Sequence, residues 1–446
     1  MDAQMNAGRA AILHLLSRSP AHTLLCLTFA CADPTTDAPA PAAYAFTDSA
    51  GVILVENSAD TASLPVWRLD TVPTLRVGSV DGGLAESFGS VSAAARLSDG
   101  SIVMGDNQAW EIKSFSADGS HRWTVGRRGS GPGEYRQIYS VRRVAADSVV
   151  VLDTFLQRVT MLSPEGETVR VVPLRPPAST GPDGRPTAFP GLRPVQASAG
   201  GGWIAVAQPA SVLPPGHQPP ALVAQPVVVL RYDDAGRLID TVAVAAGVAT
   251  LFARLDASQL RQLPPGAVPL GYQVMRPGAT LDTWVALAGD RFFVGESTHF
   301  EVKEYLTDGT LVRRIRYPRL DRPYPDEEFA ARRERAYSLA RDDERRRALD
   351  IMTDPTWKPA MRPSFDALEV DERGNVWTRE WGGDPGAPIR WLVLDAQGVA
   401  MAVAEIPRGT SVRDIGSEYV ISVDRDAQDV PYVSVRRWIK ADSPLR

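Results

Sequence analysis

Apolar and polar residues alternate in short runs along most of this chain, and glycine turns punctuate the runs. Segments such as Ser101 to Gly105 and Glu111 to Phe115 carry the period of two expected of half-buried strands. Asp99-Gly100 precedes the first and Asp118-Gly119 follows the second, and Asp-Gly supplies the positive φ that a tight hairpin demands. The block then repeats. Ser101 to Asp106 and Phe115 to Gly119 return as Ser148 to Asp153 and Leu162 to Gly166, with Asp106 and Asp153, like Gly119 and Gly166, 47 residues apart. Repeats of roughly 40 to 50 residues built from short strands and glycine turns predict β-propeller blades.

Each unit reads as four antiparallel strands, A to D. In the first, A runs from Val91 to Leu97, B from Ser101 to Gly105, C from Glu111 to Phe115 and D from His121 to Val125. The C–D turn signature recurs at Tyr232 to Gly236, Tyr305 to Gly309 and Leu394 to Gly398, with B strands at Trp203 to Val206, Phe292 to Gly295 and Val376 to Arg379. A sixth B strand, Val420 to Val423, is followed by a C strand, Tyr432 to Trp438, and by no D strand. Leu75 to Gly78 mirrors Trp123 to Gly126, so an N-terminal strand is expected to complete the last blade and remove its exposed edge. The expected fold is therefore all-β: a six-bladed β-propeller of four-stranded antiparallel blades over residues 51–446, its ring closed by an N-terminal strand. One stretch, about 323–353, departs from this pattern. Past Pro323 and Pro325, an acidic opening turn and a stripe of Phe329, Ala336, Tyr337 and Ala340 predict an amphipathic helix, and a second helix follows from Asp342 to Met352. This makes a helical insertion between blades four and five.

Composition fits a globular chain: 44% hydrophobic and 23% charged residues. A net charge of −5, from 48 basic and 53 acidic residues, offers no basic footprint for nucleic acid. The amino terminus has the order of an export signal. Arg9 and Arg18 precede the apolar run Leu24 to Ala30, which is too short to span a bilayer as a helix. Residues 1–32 are thus expected to be a signal peptide or lipoprotein signal, and 33–50 a Pro/Ala/Thr-rich linker. Two processing outcomes fit: lipidation at Cys31, or cleavage in the Ala30-Cys31-Ala32 pattern. The only cysteines are Cys26 and Cys31, so neither outcome leaves an intramolecular disulfide in the mature chain. The expected location is the periplasm or cell envelope, with a membrane contact only through a lipid at Cys31.

Gly126 to Tyr135, followed by Val151-Leu-Asp153 and Arg158, resembles the NHL-type repeat. From about Val52 to Trp438 the chain resembles bacterial six-bladed β-propeller proteins, many of them exported. Val55-Glu-Asn57, Trp67-Arg-Leu69, the Arg-rich helical insertion and Val370 to Trp377 support the likeness. The resemblance implies a fold and an envelope location. It brings no settled activity and no catalytic residues.

Catalytic motifs are absent. The Gly126 to Glu134 loop has no Lys-Ser or Lys-Thr after it and leads into a strand, so it lacks the parts of a phosphate cradle. No G-x-S-x-G elbow occurs. His121, His217 and His299 occupy different repeat positions, which gives them no shared axis for a zinc site. Five carboxylates do share a position: Asp106, Asp153, Glu296, Glu380 and Asp424 each end a B strand. Facing one axis, they could hold a hard cation such as Ca²⁺; the alternative is that each caps backbone amides or pairs with a nearby arginine, as Asp153 could with Arg158. Trp110, Trp123, Trp203, Trp284, Trp377 and Trp391 are expected to pack between blades, whereas Trp381, in the Gly382 to Gly386 loop, could stack on a ligand. The long insertions all fall at B–C or D-to-A connections, which places the expected ligand- or protein-binding face near these carboxylates and Trp381. The expected function is an exported NHL-like binding module needing no cofactor; the alternative is a metal-dependent propeller hydrolase, lactonase or lyase using the acidic ring.

Overall fold

The computed structural model describes residues 43–79, 83–175, 179–180, 186–187, 192–198, 201–207, 213, 216–254, 272–277, 282–384 and 386–440. Cys26, Cys31, the export signal and much of the 175–193, 208–223 and 247–281 insertions lie outside them. The protein is mostly β, in a β-propeller-like arrangement of antiparallel ladders in chain order.

The first ladder pairs Val91–Arg96, Ile102–Asp106, Glu111–Phe115 and His121–Val125 in sequence, and the second pairs Ile138–Arg143, Val149–Asp153, Arg158–Leu162 and Thr168–Pro173. These are the A to D strands that the 47-residue repeat predicts. The A–B turn of the first and the C–D turns of both are short glycine turns, Gly100, Gly119 and Gly166 all having positive φ, whereas the second A–B turn places Ala146 and Asp147 at positive φ. The third ladder is Leu192–Ala197, Trp203–Ala207, Ala221–Tyr232 and Leu238–Arg254, with Tyr272–Met275 added at its edge. Its C and D strands run on into the segments expected as loops after Gln208 and after Gly247, forming one long hairpin.

The fourth ladder holds Thr283–Ala288, Arg291–Glu296, Glu301–Leu306 and Leu311–Arg316. Two N-terminal strands extend it. Val52–Asn57 adds in parallel to Leu311–Arg316, and Tyr44–Ser49 pairs antiparallel with Val52–Asn57. The expected linker over 33–50 is corrected here, since Tyr44–Ser49 is strand. Asn57 ties this hairpin to the fifth ladder: its buried amide donates to Gly398 O at 2.9 Å and accepts from Ala400 N at 2.8 Å.

Phe365–Val370, Val376–Glu380, Ile389–Leu394 and Ala400–Ile406 form the fifth ladder, to which Val66–Leu69 adds in parallel. The sixth is Ser411–Ile415, Tyr419–Arg425, Pro431–Lys440 and, from the other end of the chain, Leu75–Val77. Leu75, Arg76 and Val77 pair antiparallel with Val435, Ser434 and Val433. An N-terminal strand thus pairs with the last strand of the chain.

The core lies between ladders. Separate apolar clusters join the first to the second (Ile112, Ile138), the second to the third (Leu152, Trp203), the third to the fourth (Val229, Phe292), the fourth to the fifth (Phe293, Phe365) and the fifth to the sixth (Trp391, Val420). A sixth cluster joins Ile421 and Val433 of the sixth ladder to Ala94 and Met104 of the first. Close approach here needs glycine. A Cβ on Gly105 would sit 2.5 Å from Ile138 Cγ2, and one on Gly295 would sit 2.9 Å from Phe365 Cζ; each glycine is the penultimate residue of a B strand, against the A strand of the next ladder.

The expected helices form as α1 (Asp326–Ser338) and α2 (Asp343–Met352). Asp326, Glu327 and Glu328 place negative charge in the first turn of α1, where the helix dipole favours it, and Asp342 caps α2 by accepting from Arg345 N at 2.6 Å. Phe329 anchors α1 in a small cluster with Tyr324 and Trp381.

Candidate functional site

The five B-strand carboxylates divide by environment. Asp106 is fully buried and accepts from the amides of Gly89 (2.8 Å), Ser90 (2.9 Å), Gln108 (2.9 Å) and Ala109 (3.4 Å). Asp153, equally buried, accepts from Arg136, Gln137, Phe155 and Leu156. Both carboxylates therefore staple the D-to-A loop before their ladder to the B–C turn within it. The remaining three are ion-paired: Glu296 with Lys303 at 2.6 Å, Glu380 with Arg390 at 3.6 Å and Asp424 with Arg436 at 2.7 Å. Arg158 does not serve Asp153; its guanidinium donates to the carbonyls of Ser130, Gly131 and Glu134 instead. Among the described residues no three His, Cys, Asp or Glu side chains stand together as a metal site.

Trp381 is not a free stacking surface. It is 8% exposed, its ring held edge-on by Tyr324 at 5.4 Å and covered by the Arg332 guanidinium at 4.0 Å. With Glu380 and Arg390 it lines a small cavity of about 130 Å³. Of the tryptophans expected to pack between ladders, Trp203, Trp377 and Trp391 are core members of the clusters, and Trp110, Trp123 and Trp284 pack against them half-buried.

The larger spaces lie elsewhere, along the A strands. A cavity of about 1040 Å³ is lined by the ends of the A strands of all six ladders, from Arg96 and Arg143 through Ala197, Ala288 and Val370 to Ile415, and by A–B turn residues of the second to fifth. A second, of about 600 Å³, is lined by the earlier parts of the A strands, including Ser92, Tyr139, Trp284, Leu368 and Arg413. Both volumes suit a small-molecule site. The smaller lies toward the starts of the A strands, the side to which the D-to-A insertions belong; the larger opens among the short turns, which the loop-length argument had not favoured. Arg142 and Asp414 line both.

A charged layer thus separates the two cavities. Arg142 Nη2 faces Glu369 at 3.6 Å, and Tyr419 donates its hydroxyl to Asp414 at 2.9 Å. Burial pushes the Asp414 carboxyl up to about 6, against the pull of Arg142 and the Tyr419 hydrogen bond, and Glu369 and Glu372 push it further in the same direction. Burial and the neighbouring Asp414 raise Tyr419. Although burial disfavours its charge, Arg142 is held above its ordinary value by Glu369 and Asp414. Such a layer can exchange a proton near pH 6 and can meet either pole of a polar ligand.

Sequence reasoning missed these residues. Arg142, Glu369, Arg413 and Asp414 sit on A strands, the least patterned part of the repeat. One signal was available: charged residues within otherwise apolar innermost strands of a propeller must face either its axis or a neighbour.

No family model matches the chain, and no curated protein matches it in sequence. In structure it is similar to a candidate exported protein of Bacteroides fragilis (10% identity, 88% of this chain and 100% of that chain covered, TM-score 0.43). It is also similar to a member of the DUF4221 family from Bacteroides vulgatus (10% identity, 85% and 99% covered, TM-score 0.43). Virginiamycin B lyase from Staphylococcus aureus is similar at 9% identity, with 83% and 99% covered and a TM-score of 0.36. At these identities no activity passes from them to this chain. Among the described residues no helix is long and apolar enough to cross a membrane.

Proposed function

We propose that the ladders are the six blades of a closed, NHL-like β-propeller, and that the protein is an exported binding module of the cell envelope whose ligand lies in the axial channel. The observation that carries the reading is the larger cavity, walled by A-strand residues of every ladder and by A–B turns of the second to fifth. Closure is supported by the pairing of Leu75–Val77 with Pro431–Lys440 and by the apolar cluster shared between the sixth ladder and the first. Export rests on the apolar run before Cys31 and the small residues around it, with Cys31 as the lipidation candidate. The metal-dependent hydrolase, lactonase or lyase reading gains nothing from the acidic positions, because Asp106, Asp153, Glu296, Glu380 and Asp424 are each engaged by amides or a basic side chain.

Affinity selection tests the channel. Ser140 lines the smaller cavity and Ala288 the larger, and Ser140→Trp combined with Ala288→Trp would obstruct both. Small molecules from a cell extract that the wild type retains and the double variant releases support the reading; retention by both proteins alike, or by neither, overturns it. Mass spectrometry of the native protein tests export: an amino terminus at Cys31 with a lipid, or at Asp33, is expected, and an intact Met1 in a soluble cytosolic fraction overturns it.

A further inference from the structure

The arginines around the smaller cavity can be paired with carboxylates one by one, and one arginine is left over. Arg142 faces Glu369 at 3.6 Å, and Arg276 faces Asp282 at 3.8 Å. Arg413 has neutral partners only: its Nε donates to Val91 O at 2.9 Å, and its Nη1 donates to Ser411 Oγ at 2.8 Å and Val412 O at 3.1 Å. Among the described residues no carboxylate pairs with it. A guanidinium stays charged in proteins, and a charge removed from bulk water without a counter-charge is costly. Burial lowers Arg413, and no neighbouring charge offsets the effect. Asp414, the remaining carboxylate of the wall, accepts from the Tyr419 hydroxyl at 2.9 Å and makes no ion pair with Arg413, so an anion from outside the chain can serve that guanidinium.

The cavity narrows the choice of anion. Its about 600 Å³ accommodates a small organic molecule but is lined in part by Glu369, Asp282 and Asp414, which would repel a dianion such as phosphate. Tyr139 and Trp284 give it aromatic wall, and they come from the second and fourth ladders while Arg413 comes from the sixth. Contacts from alternate ladders around one axis would hold a ligand from three sides. We propose that the smaller cavity binds a small organic acid, its single carboxylate on the Arg413 guanidinium and its apolar body against Tyr139 and Trp284. This rests on the reading of the channel as the binding site.

Calorimetric titration of the full chain with phenylacetate and with phenylacetamide tests it, since the two probes share a shape and differ in charge. Phenylacetate binds the wild type at least about tenfold more tightly, as a charge-assisted hydrogen bond provides. Arg413→Gln, which keeps a donor for Val91 O, removes the preference. Equal binding of the two probes, a preference that survives in Arg413→Gln, or no binding of phenylacetate overturns the proposal. The acid–amide comparison needs no variant, so it stands even where Arg413→Gln fails to fold. Ser140→Trp separates the two readings: equal binding that this variant abolishes leaves the channel site standing and removes only the carboxylate, whereas binding that it leaves untouched places the probe outside the smaller cavity and removes this proposal alone.

Discussion

Replacing Asp106 with alanine should destabilise the fold severely without any ligand being involved. The carboxylate is fully buried and accepts from four backbone amides, two before strand A (Gly89 and Ser90) and two in the B–C turn (Gln108 and Ala109). Alanine leaves those donors without an acceptor. A buried donor left unsatisfied costs about 1–3 kcal/mol; three of the four bonds are short, and water entering the space left by the carboxylate would recover part of the loss. A total of about 3–5 kcal/mol is expected, at the upper end of what single substitutions do. Asp106→Asn separates charge from shape. Its carbonyl can still serve the Ser90, Gln108 and Ala109 amides that Oδ1 now serves, but its NH₂ would face the Gly89 amide donor to donor, so about 1–3 kcal/mol is expected. Urea unfolding followed by tryptophan fluorescence measures both variants. An Asp106→Ala protein within about 0.5 kcal/mol of wild type would refute the stapling role, and a stability loss that calcium reverses would point to a cation at this position instead.

Three further outcomes follow from the same geometry. Val77→Asp places a charge in the buried strand that pairs with Val433, so it should lower the melting temperature and promote aggregation; a cooperative melt at the wild-type temperature would argue against Leu75–Val77 completing the sixth ladder. Trp381→Ala removes the ring beneath Tyr324 and Arg332 and should speed amide exchange in α1 while leaving the ladders protected; unchanged exchange in α1 would show that the insertion is held by other contacts. The Asp414 carboxyl keeps its proton up to about pH 6 in the fold and only to about pH 4 in the unfolded chain, so the folded state binds the extra proton between those values. Its contribution is therefore most favourable below about pH 4 and is lost as pH rises through 6. Relative to Asp414→Asn, the wild type should lose about 2 kcal/mol at most between pH 4 and pH 7, channel water reducing the effect; a flat difference across that range would remove Asp414 as the titrating group.

The ladders were legible because their signals are local. Asp-Gly between two alternating runs fixes a hairpin within about ten residues, and the 47-residue register carried the first ladder onto the second strand by strand. The orphan strand at Leu75 could be matched to the gap after Trp438 by the same logic, since an unpaired edge must be covered. Pro325 and the acidic turn after it marked the start of α1 through backbone and dipole chemistry that likewise acts within one turn.

Partners chosen from far along the chain were not legible. Val52–Asn57 pairs in parallel with Leu311–Arg316, and nothing in its own pattern distinguishes that edge from any other; the buried Asn57 finds its match at Gly398 and Ala400. Sequence placed Asp106 and Asp153 at equivalent strand ends, but only the fold shows that their carboxylates turn onto the amides of the preceding loop. Trp381 reads as a loop aromatic until α1 is laid over it. The cavity along the A strands was the least accessible of all. Arg142, Glu369, Arg413 and Asp414 come together because A strands from separate repeats line one cavity, and the spacing of a repeat records how each unit is built but not which charges face one another across that space.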